Sequence, residues 1–386
     1  MQKEKKLKKV FILVNDPIFV YQHLIPIIEI LKTKSKLYII SAYKDEFKLN
    51  FKNIKVINVP IKREPSLIDF YALIKLIIIK IKYKPNLSIS FTAKAGLLNS
   101  MTSFLGGKSF HYFTGQRWAN LKGYKRFLLK MIDKYIILSC LKIYCDSKSQ
   151  AQFICSELNV KRVKVLGEGS ISGVNIDKFN ISNKYALKTL NKLTTLKSEN
   201  LMRLLKKSYS NQIKIICFIG RVNKDKGIRE LIKGFKLHNK KFEDSYLLII
   251  GPNELNKNDF RKMKTTKNCL YMDFFTNINL ILPFAYCLVL PSNREGFGSI
   301  IIEAAASKVP VISTNIPGPK DFIDHMINGY LIRPKEANDI KEALSFFREN
   351  KQTLKIFSEN AFDKCYKYFS EEYVCNLFVK ELLSYL

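Results

Sequence analysis

Arg221 and Lys226 stand near the two ends of the stretch GRVNKDKG (residues 220–227), directly after an apolar run that closes at Ile219. A strand ending at Gly220, then a helix opened by Lys226-Gly227 with Ile228, Leu231, Ile232 and Phe235 on one face, would set two cations and a helix amino terminus at one strand end. Such a place attracts a pyrophosphate, because backbone N–H groups and fixed positive charge converge there. Read singly, the same two side chains would serve equally well as solvated loop charges.

A second stretch, LVLPSNREGFGSIIIEAAASKVPVIST (residues 288–314), reads as strand, loop, helix, strand. Glycines 296 and 298 let a ligand approach the main chain, and Glu295 lies just before the helix with Glu303 about a turn inside it. Both carboxylates could then face one cleft, one toward a sugar and one toward a ribose. Each alone could equally be a surface partner of the helix dipole.

The elements that must position these residues follow from the alternation of short β-branched runs with longer stretches of helical period, the pattern of parallel sheets covered by helices on both faces. The fold class is α/β. Strands are expected at residues 10–14, 37–40, 54–59, 87–91, 110–113, 143–145 and 163–166, with helices at 20–32, 67–82, 93–105, 124–141 and 148–158 between them. Residues 167–185, GEGSISGVNIDKFNISNKY, are rich in Gly, Ser and Asn and read as a linker. The pattern then restarts with strands at 213–219, 246–250, 269–272, 287–290, 309–312 and 330–332, and closes on helices near 336–348, 351–365 and 371–386. Two Rossmann-like domains facing across a cleft are expected: residues 1–178 on the acceptor side and 179–367 on the nucleotide side, with a helix from about 368 to 386 able to pack back on the first.

The 386 residues include 65 Lys and Arg against 33 Asp and Glu, a formal charge of +32. Hydrophobic residues make up 47%, which excludes a disordered chain despite that charge. Arg is scarce beside Lys, so bidentate reading of guanine edges or phosphates is disfavoured. The residues before 180 carry +20 and those after it +12. A lysine-rich solvated surface would account for such an excess. The eight Cys include no CxxC pair, which argues against zinc and a disulfide framework. The basic start gives way to only about five apolar residues, too few for a signal-peptide core, so a cytoplasmic location is expected. The most apolar stretch, LIDFYALIKLIIIKI (residues 67–81), is broken by Asp69, Lys75 and Lys80 and falls short of the ~18 to 20 residues that span a bilayer. It reads as a buried core helix or as an amphipathic helix facing a membrane.

Together GRVNKDKG, the E-x7-E element from Glu295 to Glu303 with its EGFG start, LIIGPNE (248–254), GSISGVNIDKF (169–179) and HYFTGQRWANLKG (111–123) resemble the retaining family 4 glycosyltransferases of GT-B fold. The 111–118 and 169–175 segments further resemble bacterial enzymes that build capsule, O-antigen or other lipid-linked glycans. The resemblance implies catalytic roles for Glu295 and His111, the latter beside the donor sugar. It implies a donor diphosphate held by Arg221, Lys226, Gly220 and the amides around Phe297 and Gly298, and a ribose held by Glu303. His23 and Asn15 are assigned to the acceptor side. The loop after the first strand, Val14-Asn15-Asp16-Pro17, lacks the glycines many relatives have there, which leaves donor contacts in that loop open.

The implied reaction is transfer of a sugar, an N-acetylhexosamine or related hexose, from a nucleotide sugar, UDP-linked in most such relatives, to an undecaprenyl-diphosphate-linked saccharide. Retention without a carboxylate nucleophile implies front-face substitution, with positioning and electrostatics as the catalytic source. No cofactor or metal is implied, the cations supplying the countercharge. The chain is expected to work at the inner face of the cell membrane as a peripheral protein. Anionic lipid would then meet Lys3, Lys5, Lys6, Lys8, Lys9, Lys32, Lys34, Lys36 and the lysines around residues 67–81. A soluble acceptor with the same donor site, a non-catalytic membrane scaffold and a basic nucleic-acid binder are the alternatives. The last is disfavoured because no RNP, zinc-finger or helix-turn-helix pattern is present.

Overall fold

The computed structural model describes residues 7–42, 54–62, 66–192 and 198–386; Lys3, Lys5 and Lys6 lie outside the described residues. The chain forms two compact units, Met1–Gly173 with Glu371–Leu386, and Val174–Ser370. The boundary expected after residue 178 falls inside the second unit. The reason is local: Val174 N donates to Phe369 O at 2.8 Å, and Val174 and Phe179 are buried in the second unit's core.

In the first unit seven parallel strands, β1 (Lys9–Leu13), β2 (Lys36–Ser41), β3 (Lys55–Asn58), β4 (Leu87–Phe91), β5 (Lys108–Phe113), β6 (Lys142–Cys145) and β7 (Val163–Lys164), lie in the order β3-β2-β1-β4-β5-β6-β7. Successive side chains of a strand point to opposite faces, and the core divides accordingly. Val10 and Ile12 of β1 pack with Ile27, Ile28 and Leu31 of α1 (Ile25–Leu31) and with Phe378, Val379 and Leu382 of the C-terminal helix Glu371–Leu383. Phe11 and Leu13 face the other way, onto Ala72, Leu76 and Ile79 of α2 (Ile68–Tyr83) and Ala95 and Leu98 of α3 (Ala93–Met101). Helices α4 (Gly123–Ser139) and α5 (Lys148–Leu158) close a third cluster with Phe113, Trp118, Ile143 and Cys145.

The single helix expected over residues 20–32 is instead a π-helical turn, Val20–Leu24, running into α1. Pro26 stands at the start of α1, and a proline ring there cannot donate the backbone bond that a continuous α-helix would need.

The second unit has six parallel strands, β8 (Lys214–Ile219), β9 (Ser245–Ile250), β10 (Cys269–Met272), β11 (Ala285–Leu290), β12 (Val311–Thr314) and β13 (Tyr330–Ile332), in the order β10-β9-β8-β11-β12-β13. This is the doubly wound order, in which chain direction across the sheet reverses beside the first strand. The reversal falls between β8 and β11, which pair from Ala285↔Ile215 to Leu288↔Cys217 with a register shift between Ala285 and Cys287. Helices α6 (Ile228–Asn239), α7 (Ser299–Ala306), α8 (Ala337–Glu349) and α9 (Lys351–Phe369) cover the sheet. Among the described residues no helix is long and apolar enough to cross a membrane.

Candidate active site

In an open parallel sheet a ligand is received outside the carboxyl ends of the strands where strand order reverses. The two stretches singled out from sequence leave the second sheet at that point: Gly220 follows β8 and Pro291 follows β11. Their approach depends on glycine. Gly227 sits at φ +69°, and a Cβ there would meet Pro291 O at 2.0 Å, so any larger residue would force the loops apart. Gly251 does the same after β9, where a Cβ would come within 2.0 Å of Gly220 O.

Side chains then join the loops. Asn293 N donates to Asp225 O at 2.7 Å, Asn293 Nδ2 donates to Lys224 O at 3.1 Å, and Arg294 pairs with Asp225 at 2.8 Å. Lys226 is not the first residue of a helix. It closes the 3-10 turn Lys224–Lys226, whose Asn223 side chain accepts from Lys226 N, and α6 begins only at Ile228. The bend at Gly227 separates the two.

Each cation is held by a carboxylate. Lys226 Nζ donates to Glu295 Oε1, and Ser292 Oγ donates to the same oxygen at 2.6 Å. The side chains of this ion pair retain only 17% and 9% of their surface. Arg221 donates to both oxygens of Glu254, at 3.2 and 3.1 Å, and Asn223 Nδ2 reaches Glu254 at 2.6 Å. The more exposed Arg221–Glu254 pair is correspondingly softer. Glu254 and Ser292 were not singled out from sequence. Glu254 is the last residue of the LIIGPNE stretch, but nothing in that stretch announces a bond to Arg221.

The remaining second-unit residues take distinct places. Gly298 caps α7 at φ +87°. Phe297 is 3% exposed with its ring on Phe369, centroids 5.3 Å apart, so only its main chain is available to a ligand. Glu303 lies in α7, and burial of its carboxyl pushes its pKa up to about 7 while nearby Lys178 opposes the shift.

In the first unit His111 lies within β5 and is fully buried on the face that carries Phe113. Nδ1 is 2.9 Å from Ser90 Oγ, while Nε2 is buried with no hydrogen-bond partner among the described residues. The ring fills the space under Gly96 of α3, where a Cβ would come within 2.5 Å of it. Burial drives its pKa down to about 3, which keeps it neutral. Asn15 follows β1 at the reversal point of the first sheet, and the neighbouring Asp16 accepts from Ile18 N. His23 lies on the π-helical turn against Phe19, centroids 4.9 Å apart, with burial lowering its pKa to about 4. Among the described residues no three His, Cys, Asp or Glu gather closely enough to hold a metal ion.

This geometry stands beside clear likenesses to known proteins. Residues 205–364 match the model of glycosyl transferases group 1. The matched residues lie within the second unit. The whole chain has the GT-B fold: the Anabaena protein Alr3699/HepE, solved in complex with UDP and glucose, superimposes with a TM-score of 0.78 at 15% identity over 98% of this chain and 100% of that one. The capsular polysaccharide biosynthesis glycosyltransferase CapM of Staphylococcus aureus is 29% identical across 92% of this chain and 93% of its own length. An Escherichia coli galactosyltransferase acting from UDP-Gal on α-D-GlcNAc-diphosphoundecaprenol is 26% identical across 79% of this chain and 75% of its own. The matched stretch contains all of the second-unit candidates: Gly220, Arg221, Lys226, Glu295, Phe297, Gly298 and Glu303.

Proposed function

We propose that the chain is a retaining glycosyltransferase of family 4 that moves a sugar, an N-acetylhexosamine or related hexose, from a UDP-sugar to an undecaprenyl-diphosphate-linked saccharide during surface polysaccharide assembly. The observation that carries this reading is the pair of cation–carboxylate contacts, Arg221–Glu254 and Lys226–Glu295, at the reversal point of the second sheet. The likenesses to CapM and to the diphosphoundecaprenol galactosyltransferase support the acceptor class, and the UDP complex of the Anabaena protein supports the donor.

In this reading the carboxylates hold both cations in place, so less rotamer freedom is lost when a diphosphate binds. Arg221 and Lys226 bind the diphosphate and stabilise the charge that grows on it as the sugar leaves. Main-chain amides around Phe297 and Gly298 add uncharged donors to the same oxygens. Lys226 and Ser292 both donate to Oε1 of Glu295, and the proposal gives the other oxygen to hydroxyls of the donor sugar. Glu303 accepts from the ribose diol. A phosphate oxygen takes the acceptor proton on the face the leaving group vacates, so neither a metal nor a carboxylate nucleophile is required. With His111 enclosed, that proton has no partner there. Asn15 and His23 belong to the acceptor side.

Purified chain, a panel of radiolabelled UDP-sugars and bacterial membrane extract test the proposal. Label should pass from one donor into an organic-extractable, lipid-linked product, and Glu295→Ala should abolish it. Label appearing only in a water-soluble product would overturn the acceptor assignment. Transfer by Glu295→Ala equal to the parent would overturn the site.

A further inference from the structure

A helix that covers a sheet ordinarily turns its second face to water and makes it polar. Helices α2 and α4 do not. On α2 the buried row is Ala72, Leu76 and Ile79, yet Leu67, Phe70, Tyr71, Ile74, Ile78 and Ile81 are all exposed. On α4 the sheet side takes Ile136 and Ile137, while Tyr124, Phe127, Leu128, Met131, Tyr135 and Leu138 are exposed. The two exposed rows repeat one spacing, each advancing three, four, seven, eleven and fourteen residues from its first member. That spacing draws a single stripe along a helix.

The stripes belong to one layer. Strands β4, β5 and β6 follow in sheet order, so α3 and α4 connect neighbouring strands, and the right-handed crossover rule sets α2, α3 and α4 on the same face. Lys94 of α3 pairs with Asp69 of α2 at 2.8 Å, and buried Lys80 of α2 donates to Asn99 of α3 at 2.9 Å. Ser100 of α3 lies 3.4 Å from Cys140, which follows α4. Met101 at the end of α3 and Phe104 in the turn after it are also exposed. Two exposed apolar stripes on one layer mark a docking site.

Charge names the occupant. Residues 66–141 contain 12 Lys and Arg and two acidic residues, Asp69 and Asp133. Both acids are engaged: Asp69 with Lys94, and buried Asp133 as acceptor from Trp118 Nε1 at 2.7 Å. Exposed Lys82, Lys84, Lys122 and Lys125 border the stripes, and Lys75 reaches over the Tyr71 ring at 5.6 Å. A second copy docking stripe to stripe would bring lysine against lysine. An anionic bilayer offers hydrocarbon to the stripes and headgroup charge to their borders.

We propose that the α2 and α4 stripes are a two-helix membrane-insertion surface, lying in the plane of an anionic leaflet with Phe70 and Phe127 among the side chains that enter it. The proposal deepens the membrane-side reading of the first unit and does not depend on the identity of the donor or the reaction. It also replaces attachment by charge alone with attachment by insertion, charge adding to it.

Flotation of the full chain with vesicles of phosphatidylglycerol and phosphatidylcholine tests this. Phe70 and Phe127 are 71% and 62% exposed, so replacing both by Ser leaves the core intact. The double variant Phe70→Ser/Phe127→Ser should bind vesicles about 100-fold more weakly, about tenfold per ring withdrawn from the leaflet. A control pair of comparable exposure in the second unit, Phe274→Ser/Ile356→Ser, should float as the parent does. In about 1 M salt, where charges are screened beyond about 3 Å, parent binding should weaken yet stay above that of the stripe variant. UDP titration by calorimetry should be unchanged in the stripe variant, which separates this surface from the donor site. Equal flotation of stripe variant and parent would overturn the proposal. So would a parent dimer that ignores vesicles and is dissolved by the stripe substitutions, which would assign the surface to a second copy.

Discussion

With the ribose placed on Glu303, as proposed, donor binding should depend on pH. The Glu303 carboxyl has a pKa of about 7 in the folded chain, against an ordinary glutamate value of 4.5, because burial penalises the charge. A ribose diol donates two hydrogen bonds, and the ionised carboxylate accepts both, whereas the neutral acid offers an O–H of its own. Only the ionised fraction is competent. That fraction is roughly a tenth at pH 6 and nine tenths at pH 8, so apparent donor affinity should rise about tenfold between them.

Stability moves the opposite way. Below about pH 4.5 the group is protonated in folded and unfolded chains alike. Between there and about pH 7 the folded chain holds a proton the unfolded chain has lost, so stability falls as pH rises, by at most roughly 3 kcal/mol. Glu303→Gln removes that loss. Calorimetric titration of UDP at pH 6 and pH 8 cancels the nucleotide's own titration when parent and variant are compared. The parent's affinity ratio should exceed the variant's about tenfold, and the variant should melt higher at pH 8 while binding UDP more weakly. The same ratio in both proteins would refute the assignment of Glu303 to the ribose.

The two ion pairs should differ in cost. Lys226→Ala leaves a nearly enclosed Glu295 without its cation and should lose about 2 kcal/mol in urea unfolding, whereas Glu254→Ala at the more exposed pair should lose under about 1 kcal/mol. Gly227→Ala must move Pro291 or abandon φ +69°, and should cost a few kcal/mol, about 2 to 3, together with UDP binding, read by thermal melting with and without UDP. His111, held neutral with a pKa near 3 against 6.5 unfolded, contributes stability above pH 6.5 that is lost as pH falls toward 3. His111→Gln should therefore flatten the parent's acid-side loss of stability while transfer per folded molecule stays near the parent's; a collapse of transfer in a well-folded His111→Gln chain would return the residue to the catalytic site.

What could be read from sequence was what local pattern and charge determine. The alternation of apolar runs gave both parallel sheets, because a strand buried on two faces has to be apolar throughout. Arg221, Lys226, Glu295 and Glu303 stood out because cations after one strand and carboxylates around a glycine loop are costly to place together without a purpose. Their partners were not legible. Lys226 meets Glu295, and Arg221 meets Glu254, only through the close approach of loops that glycines permit at Gly227 and Gly251. His111 shows a related limit: the resemblance singled it out, but the space its ring takes under Gly96 belongs to another element. The residues 67–81 left a buried helix and a membrane-facing helix both open, and α2 has an apolar row on each side. Hydrophobicity alone does not say which row finds the core.

The account rests on the second sheet's reversal point as the donor site. A crystal structure of the chain soaked with a UDP-sugar tests that most directly. The diphosphate should lie on Arg221 and Lys226, with the ribose on Glu303 and the amides of Phe297 and Gly298 turned toward its oxygens. A nucleotide bound elsewhere, with the Lys226–Glu295 and Arg221–Glu254 pairs undisturbed and no ligand atom within hydrogen-bond reach of them, would contradict it.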